Sequence, residues 1–362
     1  MQFLEYFSRS YGEAQNKFLD EVTRVGASLS RYVHPEPGPA GEELVTHVAR
    51  IGSPLARKVL VLSAGTHGAE GLPGSACLIG WLRNKRFMGM GEDMAAVLIH
   101  FVNPYGVAYR CRQTEGNVDL NRNFVAHGQE KYPENPLYAE AHEALLAKDA
   151  AERKAAKSKF IDAHGQAAFN TAVLTGQYDF SDGLFYGGRS PVWSNHVMLR
   201  IMEEQCAKAQ EIAHVDFHTG LGPYGYGFLV NNDEPGSGEL ALARSWYGKT
   251  LYSIPEARDE NDAEGGSPIA VGDMCGGLRQ FLHPRRYIYV ALEYGTYDID
   301  RFIEFYSAYC RHLKYGGTTQ EEEKVRSDFQ DFFYPQSEDW KEMIWTRAEQ
   351  VTRQAMVGLK AI

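Results

Sequence analysis

The chain reads as an α/β fold built on a largely parallel sheet, and three observations carry that reading. Two continuous apolar runs, "RKVLVLSAG" at 57–65 and "AAVLIHFVNP" at 95–104, have the composition of strands buried on both faces. Between them lies "GLPGSACLIGWLRN", 71–84, a helix-like stretch, so the order is strand, loop, helix, strand. Two further β-rich runs, "AHVDFHTG" at 213–220 and "RYIYVALEYGT" at 286–296, end in glycine turns.

The remaining elements follow in chain order. Residues 9–31 carry Phe18, Leu19, Val22, Val25 and Leu29 at helical spacing, which predicts an amphipathic N-terminal helix. "HPEPGPAGEE" is turn chemistry, and "ELVTHVARIG" reads as a strand. Residues 136–157 and 192–212 are expected to be helical, as are 298–314 and a C-terminal helix at about 337–358. The stretch 125–190 is expected to be loop-rich. Neither repeats nor low-complexity linkers interrupt the chain, so one domain spanning 1–362 is expected, with its catalytic core at about 40–315.

Composition narrows the class. Of the 362 residues 44% are hydrophobic and 23% charged, enough for a substantial core. A net charge of −10 argues against nucleic acid as a partner. No run approaches the roughly 20 apolar residues of a membrane span, and the N-terminus lacks the apolar core of a signal peptide. The five scattered cysteines, with no CxxC pair, point to reduced thiols and a cytoplasmic setting.

Ligands of open α/β sheets bind at the carboxyl ends of the strands. Three polar groups fall there: His67 with Glu70 in "GTHGAEG", His218 in "DFHTG" and Glu293 in "ALEYGT". Histidine, glutamate and histidine can supply the three protein ligands of a catalytic zinc. Taken singly, a strand-end histidine reads rather as a hydrogen-bonded structural residue, and a lone HxxE is weak evidence for a metal. A second HxxE, His127 to Glu130, follows no strand and reads as a solvated surface pair. Alternation along "HVDFH" puts His214, Asp216 and His218 on one face. Glu293 shares its face with the small Ala291 and Gly295, which would leave space before the carboxylate. A buried carboxylate there is either a general base or half of an ion pair. The stretch 103–124 adds Arg110, Arg112 and Arg122, which could grip a carboxylate or an oxyanion, or simply be exposed.

In this order "GTHGAEG", "VNPYGVAY", "NVDLNRNF", "DFHTG" and "ALEYGT" resemble the zinc-carboxypeptidase superfamily over about residues 40–315. Together with "DGLFYGG" (182–188) and "WSNH" (193–196), they resemble in particular a bacterial branch of metallopeptidase-like proteins of unknown function. The resemblance implies a single-domain α/β/α sandwich with a mixed, mostly parallel twisted sheet and one Zn2+ per chain on His67, Glu70 and His218. It also implies Glu293 as general base and Asn121 with Arg122 as the grip on a substrate's terminal carboxylate. Asp119 would orient the first zinc histidine, and Asp216 would line the same crevice. Arg112 would be the oxyanion donor, with Arg110 as the alternative. No motif selects a substrate-capping tyrosine among Tyr224, Tyr226, Tyr247, Tyr252, Tyr287 and Tyr289. The specificity pocket is expected within 225–280. The activity implied is hydrolysis of an amide or peptide bond near a free carboxylate, on a small peptide. Deacylation of an N-acyl amino acid, of the desuccinylase or aspartoacylase type, is the alternative. A zinc-carboxypeptidase-fold binding protein without turnover is the reading from another class.

Overall fold

The computed structural model describes residues 2–259 and 270–362. Eight strands form its sheet: β1 (Ser28–Val33), β2 (Val45–Gly52), β3 (Lys58–Ala64), β4 (Met94–His100), β5 (Glu211–Tyr224), β6 (Gly227–Asn231), β7 (Tyr252–Ser253) and β8 (Arg286–Gly295). Their order is β1-β2-β4-β3-β5-β8-β6-β7. The middle four, β4, β3, β5 and β8, run parallel. Antiparallel strands flank them, β2 beside β4 and β6 beside β8.

The central strands form because their sequences can be covered on both sides. β3 and β4 are buried along almost their whole length. One face packs Leu60, Leu62, Val215 and Val290 against Phe18, Leu78 and Trp340 from three helices, Tyr11–Val25, Gly71–Arg83 and Glu338–Ala361. The other packs Val59, Val61 and Val97 against Met198 and Met202 of the helix Trp193–Gln205 and Leu278 of Met274–Leu282. The result is helix, sheet, helix. Leu62 is fully buried, and truncation to alanine at such a site costs about 2–5 kcal/mol.

The helix Gly71–Arg83 carries the chain from β3 to β4 on one side, while β5 docks on the other. Strand order therefore reverses at β3, the kind of position at which open α/β sheets bind their ligands. A third cluster, with Phe169, Phe302, Tyr306 and Phe329, joins the helices Gln166–Leu174, Ile299–Tyr315 and Thr319–Phe333 and packs Ala69, in the corner after β3.

Several expected boundaries move. The N-terminal helix stops at Val25, because Gly26 takes a left-handed conformation (φ 68°) and closes it through the Thr23 and Val22 carbonyls. Residues expected to continue it form edge strand β1, with Leu29 exposed. The 192–212 helix ends at Gln205, and β5 has begun by Glu211. The 136–157 segment is two helices, Tyr138–Leu146 and Ala150–His164, broken where Asp149 accepts the Ala151 and Glu152 N–H groups. With Gln166–Leu174 they carry helix on through most of 158–174, where loops were expected. All five cysteines are buried free thiols. Among the described residues no helix is long and apolar enough to cross a membrane. The 225–280 stretch expected to shape specificity includes 260–269, which lie outside the described residues.

Candidate metal centre

The corner after β3 is shaped by glycine. A Cβ on Gly68 would sit 2.0 Å from the Gly106 carbonyl carbon, so only glycine lets the corner pack against the segment after β4. The Gly68 N–H then donates to the Arg112 carbonyl at 3.1 Å, joining the two loops. This turn places His67 and Glu70 over His218, which stands on β5 one residue beyond its last pairing with β3 and six residues before the strand ends at Tyr224. All three are buried, and their ligand atoms lie within 4.8 Å of one another. Among the described residues they form the one cluster of three or more metal-ligating groups. His67 Nδ1 is 2.9 Å from Glu70 Oε1, and His218 Nδ1 is 2.9 Å from Glu70 Oε2. Both Nδ1 atoms therefore converge on one carboxylate.

The far side of His218 is fixed by the sheet. Its Nε2 lies 2.7 Å from Asp216 Oδ2. Asp216, on the same face of β5, also accepts Ser63 Oγ at 2.6 Å, Thr66 Oγ1 at 2.9 Å and the Tyr289 hydroxyl at 3.3 Å. Burial pushes its carboxyl up, but His218, with smaller contributions from His214 and the Ser63 hydroxyl, outweighs burial and holds it below the usual carboxylate range. Behind Ser63 stands His214, 2.6 Å away through Nε2 and 2.7 Å from the Tyr287 hydroxyl through Nδ1. Burial lowers the His218 pKa, but the Asp216 and Glu70 carboxylates outweigh it and raise it well above the usual histidine range, so both ring nitrogens donate here. When Nδ1 gives up its proton to serve as a ligand, Asp216 keeps the other proton on Nε2. Burial lowers His214 to about 4, so it is neutral.

Around His67 the partners come from the loop after β4. Arg112 donates from Nε to Asp119 Oδ2 at 2.8 Å and from Nη1 to Glu70 Oε1 at 3.2 Å, and its Nη2 is 2.7 Å from His67 Nε2. Arginine only donates, so His67 Nε2 accepts here and the ring proton sits on Nδ1, facing Glu70. Asp119 Oδ1 is 3.5 Å from the same Nε2. It is placed to accept the ring proton when Nδ1 serves as a ligand.

Glu293, on β8, is register-paired with His218. Its Oε2 is shielded from solvent and has no hydrogen-bond partner. Burial, with a smaller contribution from the Glu70 charge, raises its pKa to about 7 against the lowering effect of His218, His67 and Arg112. A partnerless carboxyl with a shifted pKa, beside a cluster of metal-ligating groups, is a candidate for proton transfer. Gly295 is small for another reason than the one expected: a Cβ there would lie 2.0 Å from the Pro223 carbonyl oxygen. It admits the neighbouring backbone of β5 and does not clear space before Glu293.

The other candidates separate clearly. Arg110, at φ 54°, turns outward to pair with Glu323 on the helix Thr319–Phe333, while Arg112 enters the site. Arg122 is buried and gives Nε to the Thr175 carbonyl at 2.9 Å, Nη1 to Asn121 at 2.8 Å and Nη2 to Leu174 at 2.6 Å. A guanidinium has five N–H groups, so one remains on each terminal nitrogen. Asn121 Oδ1 accepts the Met274 N–H at 2.8 Å. His127 is tied to the Asn123 carbonyl and the Tyr132 hydroxyl, away from any third ligand. Of the tyrosines considered as caps, Tyr247, Tyr287 and Tyr289 are buried, whereas Tyr224 and Tyr226 are exposed.

The donor set fits a metal. Glu70, Asp119 and Asp216 are three buried carboxylates in contact with one buried guanidinium, Arg112, and two histidines. Uncompensated buried charge is costly, and a divalent cation between the two Nδ1 atoms and Glu70 would offset it. Two imidazoles and a carboxylate suit zinc. Sequence reasoning put His214 on the His218 face but missed Ser63, Thr66 and Tyr289 as supports of Asp216. Strand alternation, extended from β5 to β3 and β8, would have put Ser63 and Tyr289 on that face as well.

Residues 7–347 match the model of a family described as "Protein of unknown function (DUF2817)". Among curated protein sequences none matches the chain. Similar solved structures include the carboxypeptidase A of Helicoverpa armigera, at 14% identity and TM-score 0.47, covering 89% of this chain and 73% of that one. Bovine thrombin-activatable fibrinolysis inhibitor, solved with tick carboxypeptidase inhibitor, gives 13%, 0.46, 90% and 97%. Succinylglutamate desuccinylase from Chromobacterium violaceum gives 13%, 0.39, 88% and 74%.

Proposed function

The chain belongs to the family described as "Protein of unknown function (DUF2817)", and we propose that it is a zinc-dependent hydrolase that cleaves an amide or peptide bond near a free carboxylate. The observation that carries this reading is the partnerless Glu293 carboxyl facing a buried His67, Glu70 and His218 cluster across adjacent strands. His67 and His218 through Nδ1, with Glu70, would hold the zinc. When bound, zinc supplies Lewis acidity, which polarises a carbonyl and brings the pKa of water toward about 7.

The chain's own residues would do the rest. Glu293 takes the proton of the attacking water and returns it to the leaving amine. Asp216 keeps the His218 proton on Nε2 when Nδ1 is a ligand, and Asp119 would accept the His67 Nε2 proton in the same way, with Arg112 Nη2 giving up that nitrogen. Arg112 and Arg122 each keep one uncommitted N–H on each terminal nitrogen. Arg112, beside the cluster, would donate to the oxyanion. Arg122, with Asn121, would receive a carboxylate in a two-point grip.

The same arrangement serves peptides and N-acyl amino acids alike. The test is turnover by the zinc-loaded protein on dipeptides and on acylated amino acids, each as free acid and as amide. Cleavage that favours the free acid supports the reading, and the better series names the substrate class. Stoichiometric zinc with no cleavage of any member would instead support the fold acting as a binding protein.

A further inference from the structure

The motif "DGLFYGG", residues 182–188, has no part in the reading above, yet it walls the site. Phe185 adopts φ 51°, a left-handed conformation that bulky residues rarely take. Its N–H donates to the Tyr306 hydroxyl at 3.2 Å, and its carbonyl accepts the Gln177 N–H at 3.2 Å. The next carbonyls reach the substrate loop: Tyr186 O accepts the Asp119 N–H at 2.7 Å, and Gly187 O accepts Asn123 Nδ2 at 2.7 Å. So held, the buried Phe185 ring has the Arg112 Cζ 5.2 Å and the Arg122 Cζ 5.1 Å from its centroid.

A ring face attracts a guanidinium and restrains its plane without consuming an N–H. That matters here because each arginine has spent three N–H groups on protein partners. The two cations also repel: burial lowers the Arg122 pKa, and the Arg112 charge lowers it further, with Asp119 opposing both. We infer that Phe185 is a positioning residue whose ring fixes the Arg112–Arg122 pair, and thereby the distance the site allows between the cleaved carbonyl and the free carboxylate. The inference rests on the hydrolase reading for its effect on substrates, although the ring contacts do not.

The test is Phe185→Leu, measured with and without turnover. The expected result is unchanged zinc content, with kcat down about tenfold on free acid and amide alike through a loosened Arg112. The preference for the free acid should fall by a further factor of about ten, through KM, as Arg122 loses its restraint. A lowered Tm with kcat and preference intact would make Phe185 merely structural and overturn the inference. The arm without turnover is side-chain NMR of the wild-type protein, where the Arg112 and Arg122 Nε–H resonances should both carry a ring-current displacement that Phe185→Leu removes at Arg122 and reduces at Arg112, whose Cζ also lies 5.9 Å from the Phe302 ring centroid. Displacement of one or neither overturns the inference, even if the variant does not fold. If the wild type cleaves nothing, the hydrolase reading fails while the NMR result still decides whether one ring holds both arginines.

Discussion

His218 and His67 face the same carboxylate, but they are held by different kinds of backbone. His218, Asp216 and Glu293 sit on β5 and β8, where the pairing of Ser63 with Asp216 and of His218 with Glu293 sets their positions. Every support of Asp216 except Thr66 is also on a strand. His67 leans instead on Arg112 and Asp119, from a loop pinned by single contacts such as Asp119 N–H to Tyr186 O. The difference shows at the two Nε2 atoms. His218 gives its Nε2 proton to Asp216 alone at 2.7 Å, whereas His67 shares its Nε2 between Arg112 at 2.7 Å and Asp119 at 3.5 Å. A register-locked half suits metal binding and proton transfer, which need fixed geometry. A loop-borne half suits substrate choice, because long side chains can settle around a ligand.

The largest break comes from removing a strand-borne ligand. His218→Ala is expected to drop zinc from one per chain to near zero and turnover by at least about a thousandfold, read by elemental analysis and kinetics. His67→Ala should match it, whereas His127→Ala should keep its zinc. Next in size is Arg122→Gln in the loop half. Its zinc content should hold while the preference for a free acid over the matching amide falls roughly 30- to 150-fold, the worth of about 2–3 kcal/mol. Equal losses on both substrates would make Arg122 a structural clamp for the Leu174 and Thr175 carbonyls. Asp216→Asn sharpens the strand half: zinc affinity should weaken roughly 10- to 100-fold, by competition with a chelator. Unchanged affinity would mean that register alone positions His218.

The smallest effect is a shift in pH dependence. Glu293 works as a base only when ionised, and burial raises it to about 7 in the metal-free protein. Activity should therefore rise with pH through a limb governed by Glu293 and level off above it. A bound divalent cation favours the ionised form and moves that limb below about 7. A limb above about 8 would exclude Glu293 as the group responsible.

Much of the strand-borne half was legible in the sequence. β3 is a continuous apolar run that stops at a glycine corner, and the two-residue period of "HVDFH" puts Asp216 and His218 on one face. The loop half was less so. Arg110 and Arg112 are two residues apart with the same chemistry, and what separates them is the left-handed turn at Arg110, invisible to motif spacing. Phe185 meets two arginines only through space. β1 was hidden because "SLSRYV" pairs along one edge and leaves Leu29 exposed, so its apolar residues continue a helical spacing by chance. The helix Thr319–Phe333 did announce itself: Thr318 and Glu321 form a capping box, each side chain bonding the other's backbone N–H, and that signature was overlooked.

Glu293→Gln tests the central claim most directly, because glutamine keeps the side chain's shape and removes only its basicity. Zinc content and Tm should stay near wild type, KM should change little, and kcat should fall at least about a hundredfold. Near-normal turnover would contradict the account by placing the base elsewhere. Loss of zinc would contradict it differently, by making Glu293 a fourth ligand.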